Sequence, residues 1–335
     1  MKHARTIDVH AHIVLAQTLG KAGEYGPTMG EHASGQPFFQ VGPDYRLDGV
    51  RYAGSAFMDV DARLARMQAC GIDFQVVSPN PLTYFHFIPV PDAVRFCATH
   101  NDTVAALCAR HSDRLAAFAA LPMQDPMAAV EELERAVVEL GLLGGYFGTD
   151  LPMPLHDAAY DLLYEKAVAL DVPLFIHPGP AGIDGPPGDA NLKHFELEIL
   201  SGFCAQETLA VAGLIFGGVL DRHPDLDICI SHGGGAGAFM AGRLAQAARK
   251  RPWVPAELRA DGEFEKRMRR LWVDTHVGHP QGLQMVSEAF GQDHLVYGTN
   301  FAGWDAPDGA EPVSAEPQWA DNARRLLRAD TVGAA

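Results

Sequence analysis

Eight short apolar runs recur along the chain, each parted from the next by a stretch long enough for a helix. This alternation restricts the fold more than any other feature. The runs cover residues 6–12, 74–79, 115–122, 142–148, 173–178, 227–232, 271–275 and 294–300. Helical spacing appears between them. Val130, Leu133, Val137 and Leu140 fall at i, i+3, i+7 and i+10. Val60, Leu64 and Met67 form a second stripe, with Asp59 placed as an N-cap and Gly71 as its stop. Strands alternating with helices imply parallel pairing, because each crossover helix returns the chain to the same end of the sheet. Eight such units predict an α/β chain closed into a (β/α)8 TIM barrel, one domain spanning residues 1–335. A doubly wound open sheet is the alternative, but no G-x-G-x-x-G follows the first strand.

Two stretches are too long for plain connections. Residues 16–58 follow the first strand and residues 179–196 follow the fifth, and both are rich in Gly and Pro. Each leaves the C-terminal end of a strand, where barrel enzymes build their sites, so both read as site-covering insertions. Charge narrows the partners. Lys and Arg number 26 against 42 Asp and Glu, a net charge of −16, which repels nucleic acid. The longest clean apolar stretch, 209–220, is too short for a membrane span and reads as a buried core helix. The N-terminus shows no signal-peptide pattern. Cys70, Cys97, Cys108, Cys204 and Cys229 are odd in number and form no C-x-x-C pair, as expected of reduced thiols. The chain is therefore expected in the cytoplasm.

The chemistry-bearing residues collect at strand ends. In Asp8-Val9-His10-Ala11-His12, strand alternation turns both imidazoles to one face, half of a divalent-metal site. His177-Pro178 ends the fifth strand, and His232-Gly233-Gly234-Gly235 ends the sixth. Asp274 opens a segment running through His276 and His279 to Pro280 after the seventh. His86 and His194 could reach the mouth, and their role stays open. The other histidines, His32 and His100 among them, read as structural or surface groups.

Together these motifs resemble the amidohydrolase-related barrels, in particular their non-oxidative decarboxylases of the aminocarboxymuconate-semialdehyde type. The likeness includes Ala205-Gln206-Glu207-Thr208 and Asn322-Ala323-Arg324. It implies that His10, His12 and His177 ligate a divalent metal, with zinc the expected ion and manganese the alternative. It makes His232 catalytic. It also assigns substrate binding to Arg51, Arg243 and His279, with Arg46 competing for the place of Arg51. Arg243 would act across the interface of a homodimer.

The chain departs from the pattern on strand eight, where Asn300 stands in Tyr297-Gly298-Thr299-Asn300 at the family's aspartate. Asn300 is counted among the catalytic positions, although an amide ligates weakly and carries no proton. Three outcomes follow. Three histidines and water hold the ion unaided, Asp305 folds back to supply a carboxylate, or metal binding is weak. The first is favoured. The resemblance implies a metal-dependent non-oxidative decarboxylase of an unsaturated or aromatic carboxylic acid, of carboxymuconate-semialdehyde or hydroxybenzoate type. The alternatives are a hydrolase or hydratase of a carboxylated ring-cleavage product, and a catalytically impaired barrel that binds a carboxylate ligand.

Overall fold

The computed structural model describes residues 1–185, 188–309 and 312–329. Of the second insertion, Pro186 and Pro187 lie outside the described residues.

The sheet begins with β1 (Ile7–Ile13). Residues 16–58 then hold an antiparallel meander of β2 (Thr28–Glu31), β3 (Pro37–Val41) and β4 (Tyr45–Asp48). The parallel strands resume with β5 (Phe74–Pro79), β6 (Leu115–Ala117), β7 (Ala119–Ala120), β8 (Gly145–Gly148) and β9 (Leu174–His177). They end with β10 (Ile228–Ile230), β11 (Trp272–Asp274) and β12 (Leu295–Val296). Most are shorter than the apolar runs that announced them, because each run also includes the residues that leave the ladder. Helices follow them as expected. Asp59 caps Val60–Cys70 by accepting the Ala62 N–H, and Gly71 stops it at φ 72°.

The strands form two parallel sheets, ordered β1-β5-β6 and β12-β11-β10-β9-β8-β7. The expectation of a single closed ladder is met only as a parallel α/β fold. The run 115–122 splits at Phe118, so that β6 pairs with β5 while β7 pairs with β8. Backbone bonds still cross both seams. Phe118 N donates to Val77 O at 3.0 Å and Ala119 N to Gly144 O at 2.8 Å. At the other seam, Val9 N donates to Tyr297 O and Phe301 N to His10 O, each at 2.9 Å.

A bulge in β1 places the site. The register against β5 shifts between Asp8 and Ala11. Ile7 and Val9 pack with Phe118, Tyr146 and Phe175, whereas Ala11 and Ile13 join the larger cluster that faces the helices. The strict alternation expected of this strand is thus broken once, as bulges near sites often do.

Below the bulge runs a buried polar chain. Arg63, 1% exposed, donates to His12 O and to Gln75 Oε1, and its guanidinium lies over the Phe301 ring. Gln75 Nε2 donates to Asp8, and Asp8 also accepts from Thr299 N and Oγ1. Burial holds the Asp8 carboxyl up at about 6. This chain ties β1, β5 and the strand-eight segment to the helix after the first insertion.

One expectation is corrected. The stretch 209–220 packs on the core through Ala210, Val211, Leu214, Ile215, Val219 and Leu220, but it is not one helix. Helix Gly202–Phe216 ends before Gly217 and Gly218, and its Leu209 is 71% exposed. With Leu197–Leu200 it forms a 20-residue apolar stretch, long and apolar enough to cross a membrane, and 33% of its most apolar 18-residue window is buried. Glu207 at its middle bonds to Ser231 and His232, which fixes the stretch within the α/β fold.

Replacing Arg63 with Met should leave the His12 carbonyl and Gln75 Oε1 without a donor in a dry interior. We expect a loss of about 3 kcal/mol in urea unfolding.

Candidate active site

The structure brings His10, His12, His177 and His232 together at the C-terminal strand ends. Ring centroids stand 5.0 Å apart for His10–His12 and His10–His177, 4.7 Å for His12–His177 and 4.9 Å for His10–His232. Donor atoms of His10, His177 and His232 all lie within 4.8 Å of one another.

Each imidazole is oriented through Nδ1. His10 Nδ1 faces Asp274 Oδ2 at 2.7 Å, His12 Nδ1 faces the Pro79 carbonyl at 3.1 Å, and His177 Nδ1 faces the Pro178 carbonyl at 2.7 Å. Because these partners accept, the proton of each neutral ring sits on Nδ1 and the lone pair on Nε2 faces inward. Burial, aided by neighbouring imidazoles, pushes His10 and His177 well below the usual histidine range. Burial likewise takes His12 down to about 3. Three neutral rings thus aim lone pairs at one space. His10 Nε2 and His12 Nε2 face each other at 3.2 Å with no proton to share, and His177 Nε2 is buried without a partner. Such a donor set fits a cation and fits little else.

His232 differs. Burial would lower it, but the Glu207 carboxylate beside Nδ1, at 2.7 Å, raises it to about 9. The cluster therefore holds one charged imidazole among neutral ones. Ser231 Oγ donates to the same Glu207 oxygen.

Two residues here adopt backbone conformations that favour glycine. His232 has φ 45° and Asn300 φ 51°, each costing about 1–3 kcal/mol. Gly298 is required by close approach. A side chain there would put its Cβ 2.9 Å from the Cβ atoms of both His10 and Asp274.

Asn300 is buried beside His12, and its Nδ2 donates to Asp305 at 2.7 Å. The sequence-derived substrate positions lie elsewhere. Arg51 is exposed and pairs with Glu31 at 3.0 Å on the β2–β4 meander, and Arg46 pairs with Asp48. Arg243 is exposed on helix Gly237–Lys250, with no ion-pair partner among the described residues. His279 is exposed and caps helix Pro280–Phe290 by accepting the Gln281 N–H. His194 is exposed. His86 is buried, accepts the Gly148 N–H at 2.9 Å and packs against Tyr84.

Sequence reading gave no role to Glu207, and for Asp274 it gave only a place in a motif. A lone acid in an otherwise apolar helix was the available signal for Glu207. For Asp274 it was an acid closing a strand.

Glu207→Gln should remove the charge that holds the His232 proton. In metal-free protein, imidazole NMR should find His232 shifted down from about 9, because burial is then opposed only by the more distant Asp274 and Asp305 carboxylates.

A family model described as amidohydrolase matches residues 7–328. The chain is 27% identical over 300 residues to the 2-amino-3-carboxymuconate-6-semialdehyde decarboxylase of Dictyostelium discoideum, covering 88% of this chain and 81% of that one. It is also 27% identical, over 271 residues, to the 2-keto-4-carboxy-3-hexenedioate hydratase of a Sphingobium species, with 77% and 73% covered. The crystal structure of 2,6-dihydroxybenzoate decarboxylase from Rhizobium matches with a TM-score of 0.75 at 26% identity, over 97% of this chain and 99% of that chain. A dihydroxybenzoic acid decarboxylase from Polaromonas, crystallised with manganese and 2-nitroresorcinol, shares the fold at a TM-score of 0.73 and 21% identity, with 97% of each chain covered. The match runs from β1 to the end of the last helix, and the chain belongs to the amidohydrolase family.

Proposed function

We propose that this chain is a metal-dependent, non-oxidative carboxy-lyase acting on an aromatic or unsaturated carboxylic acid. The observation that carries the reading is the set of buried neutral imidazoles with inward lone pairs beside the one charged ring, His232. The named decarboxylase relatives support it.

In this reading His10, His12 and His177 would hold a divalent ion, their inward lone pairs being on Nε2. Nitrogen donors suit zinc, and manganese is the ion of the Polaromonas neighbour. Bound there, the ion would supply Lewis-acid withdrawal of electrons from substrate oxygens. The chain's own residues do the rest. Loss of CO2 breaks a carbon–carbon bond and leaves its electron pair on the carbon that bore the carboxyl group. His232 Nε2 delivers a proton to that carbon, while Glu207 at Nδ1 keeps the ring charged beforehand. A net charge of −16 repels an acid substrate at long range, so cationic groups must gather locally. We assign this work to Arg51, which must release Glu31, and to Arg243. His279 joins them if it gives up its capping bond.

The same reading covers the assembly. The bonds across both seams support one (β/α)8 barrel, and the departure of residues 16–58 and of the described part of 179–196 from the ends of β1 and β9 supports their covering its mouth. Leu209 and Phe239, 71% and 77% exposed, support a homodimer, and Phe239 lies one turn from Arg243 on the same helix. Five free thiols support a reducing, cytoplasmic setting.

The hydratase relative favours a second reading, addition of water to a carboxylated ring-cleavage product. Protein loaded with zinc or manganese, tested on carboxymuconate semialdehydes and hydroxybenzoates, separates the two. Released CO2 and a correspondingly lighter product are expected. A product heavier by one water moves the assignment to the hydratase. Neither change at full metal occupancy overturns both. His232→Asn should cut kcat roughly 10²- to 10⁴-fold with metal content unchanged. Light scattering should report a dimer, and Phe239→Glu a monomer.

A further inference from the structure

The turn after strand eight is organised around one amide. Asn300 and Ala302 take φ values of 51° and 71°, and Gly303 N donates to Asn300 O at 2.7 Å. No side chain fits at Gly303, where a Cβ would lie 2.5 Å from Asn300 Nδ2 and 2.7 Å from its Cγ. The turn carries Asp305 back onto the site. One of its carboxylate oxygens accepts from Asn300 Nδ2 at 2.7 Å, and the other accepts from His276 Nε2 at 2.9 Å. The backbone N–H of His276 is held in turn by Asp274, the carboxylate that orients His10. The Asn300 side chain also lies beside His12.

A carboxylate oxygen without a proton can only accept, so it decides which end of the amide faces it. Nitrogen turns to Asp305 and oxygen turns to the histidines. We infer that Asp305 is a positioning residue that makes Asn300 an oxygen donor to the histidine cluster. It offsets by orientation the carboxylate that strand eight lacks. The inference rests on the metal reading given above. An untethered amide would also present N–H groups, which repel a cation. A carboxylate at position 300 would meet Asp305 as two acceptors with no proton between them, so there Asp305 would do harm.

The sign of the Asp305 effect therefore depends on residue 300, and that supplies the test. Zinc affinity is measured by competition with a chromophoric chelator for wild type, Asp305→Ala, Asn300→Asp and the double variant, with circular dichroism to verify folding. In wild type, Asp305→Ala should weaken zinc binding roughly 10- to 100-fold. In the Asn300→Asp background the same change should strengthen it. A merely structural role would weaken both. Asp305→Asn keeps an acceptor and should lose little in wild type while still gaining on Asn300→Asp. It serves if the alanine variant does not fold. No change in wild type, or the same sign in both backgrounds, overturns the inference alone. Absence of zinc binding by wild type overturns the metal reading and the inference with it.

Discussion

Every ligand-competent imidazole here depends on an acceptor at its far nitrogen. A neutral histidine has one proton to place, and Asp274, the Pro79 carbonyl and the Pro178 carbonyl each claim it at Nδ1. The lone pairs are left converging on one space. Burial then keeps the rings neutral, since a charged imidazole among them would be costly to desolvate. Glu207 makes the one exception at His232. Charge in this site is set by the residues behind the ligands.

The backbone is bent to make this arrangement. A bulge in β1, two left-handed residues at His232 and Asn300, and a bare Gly298 all lie within the cluster. Such conformations cost stability, and the Arg63–Gln75–Asp8–Thr299 chain next to them holds the strand ends in place. Strain at the mouth and rigidity beneath it belong together.

Much of the fold was legible in the sequence. The apolar runs marked the strand positions, and Asp59 and Gly71 marked a helix's two ends, because periodicity and capping are local. The run 115–122 hid its switch between sheets at Phe118, since a short apolar run looks the same whichever neighbour it pairs with. The stretch 209–220 does supply core residues, but composition reports apolarity without saying which faces are covered, and Leu209 is left exposed. His279 matched a site motif, yet its own helix takes its Nδ1.

The sequence by itself determined the parallel α/β order, the placing of histidines at strand ends and the amide, Asn300, on strand eight. Each follows from residue type and spacing along one segment. The tertiary structure alone decided which nitrogen of His10 and of His12 is free, and that His232 carries charge. Those outcomes depend on acceptors 264 residues away for His10 and 25 for His232. No local pattern specifies such a partner, because the hydrogen bond forms only once the strand ends have been brought together.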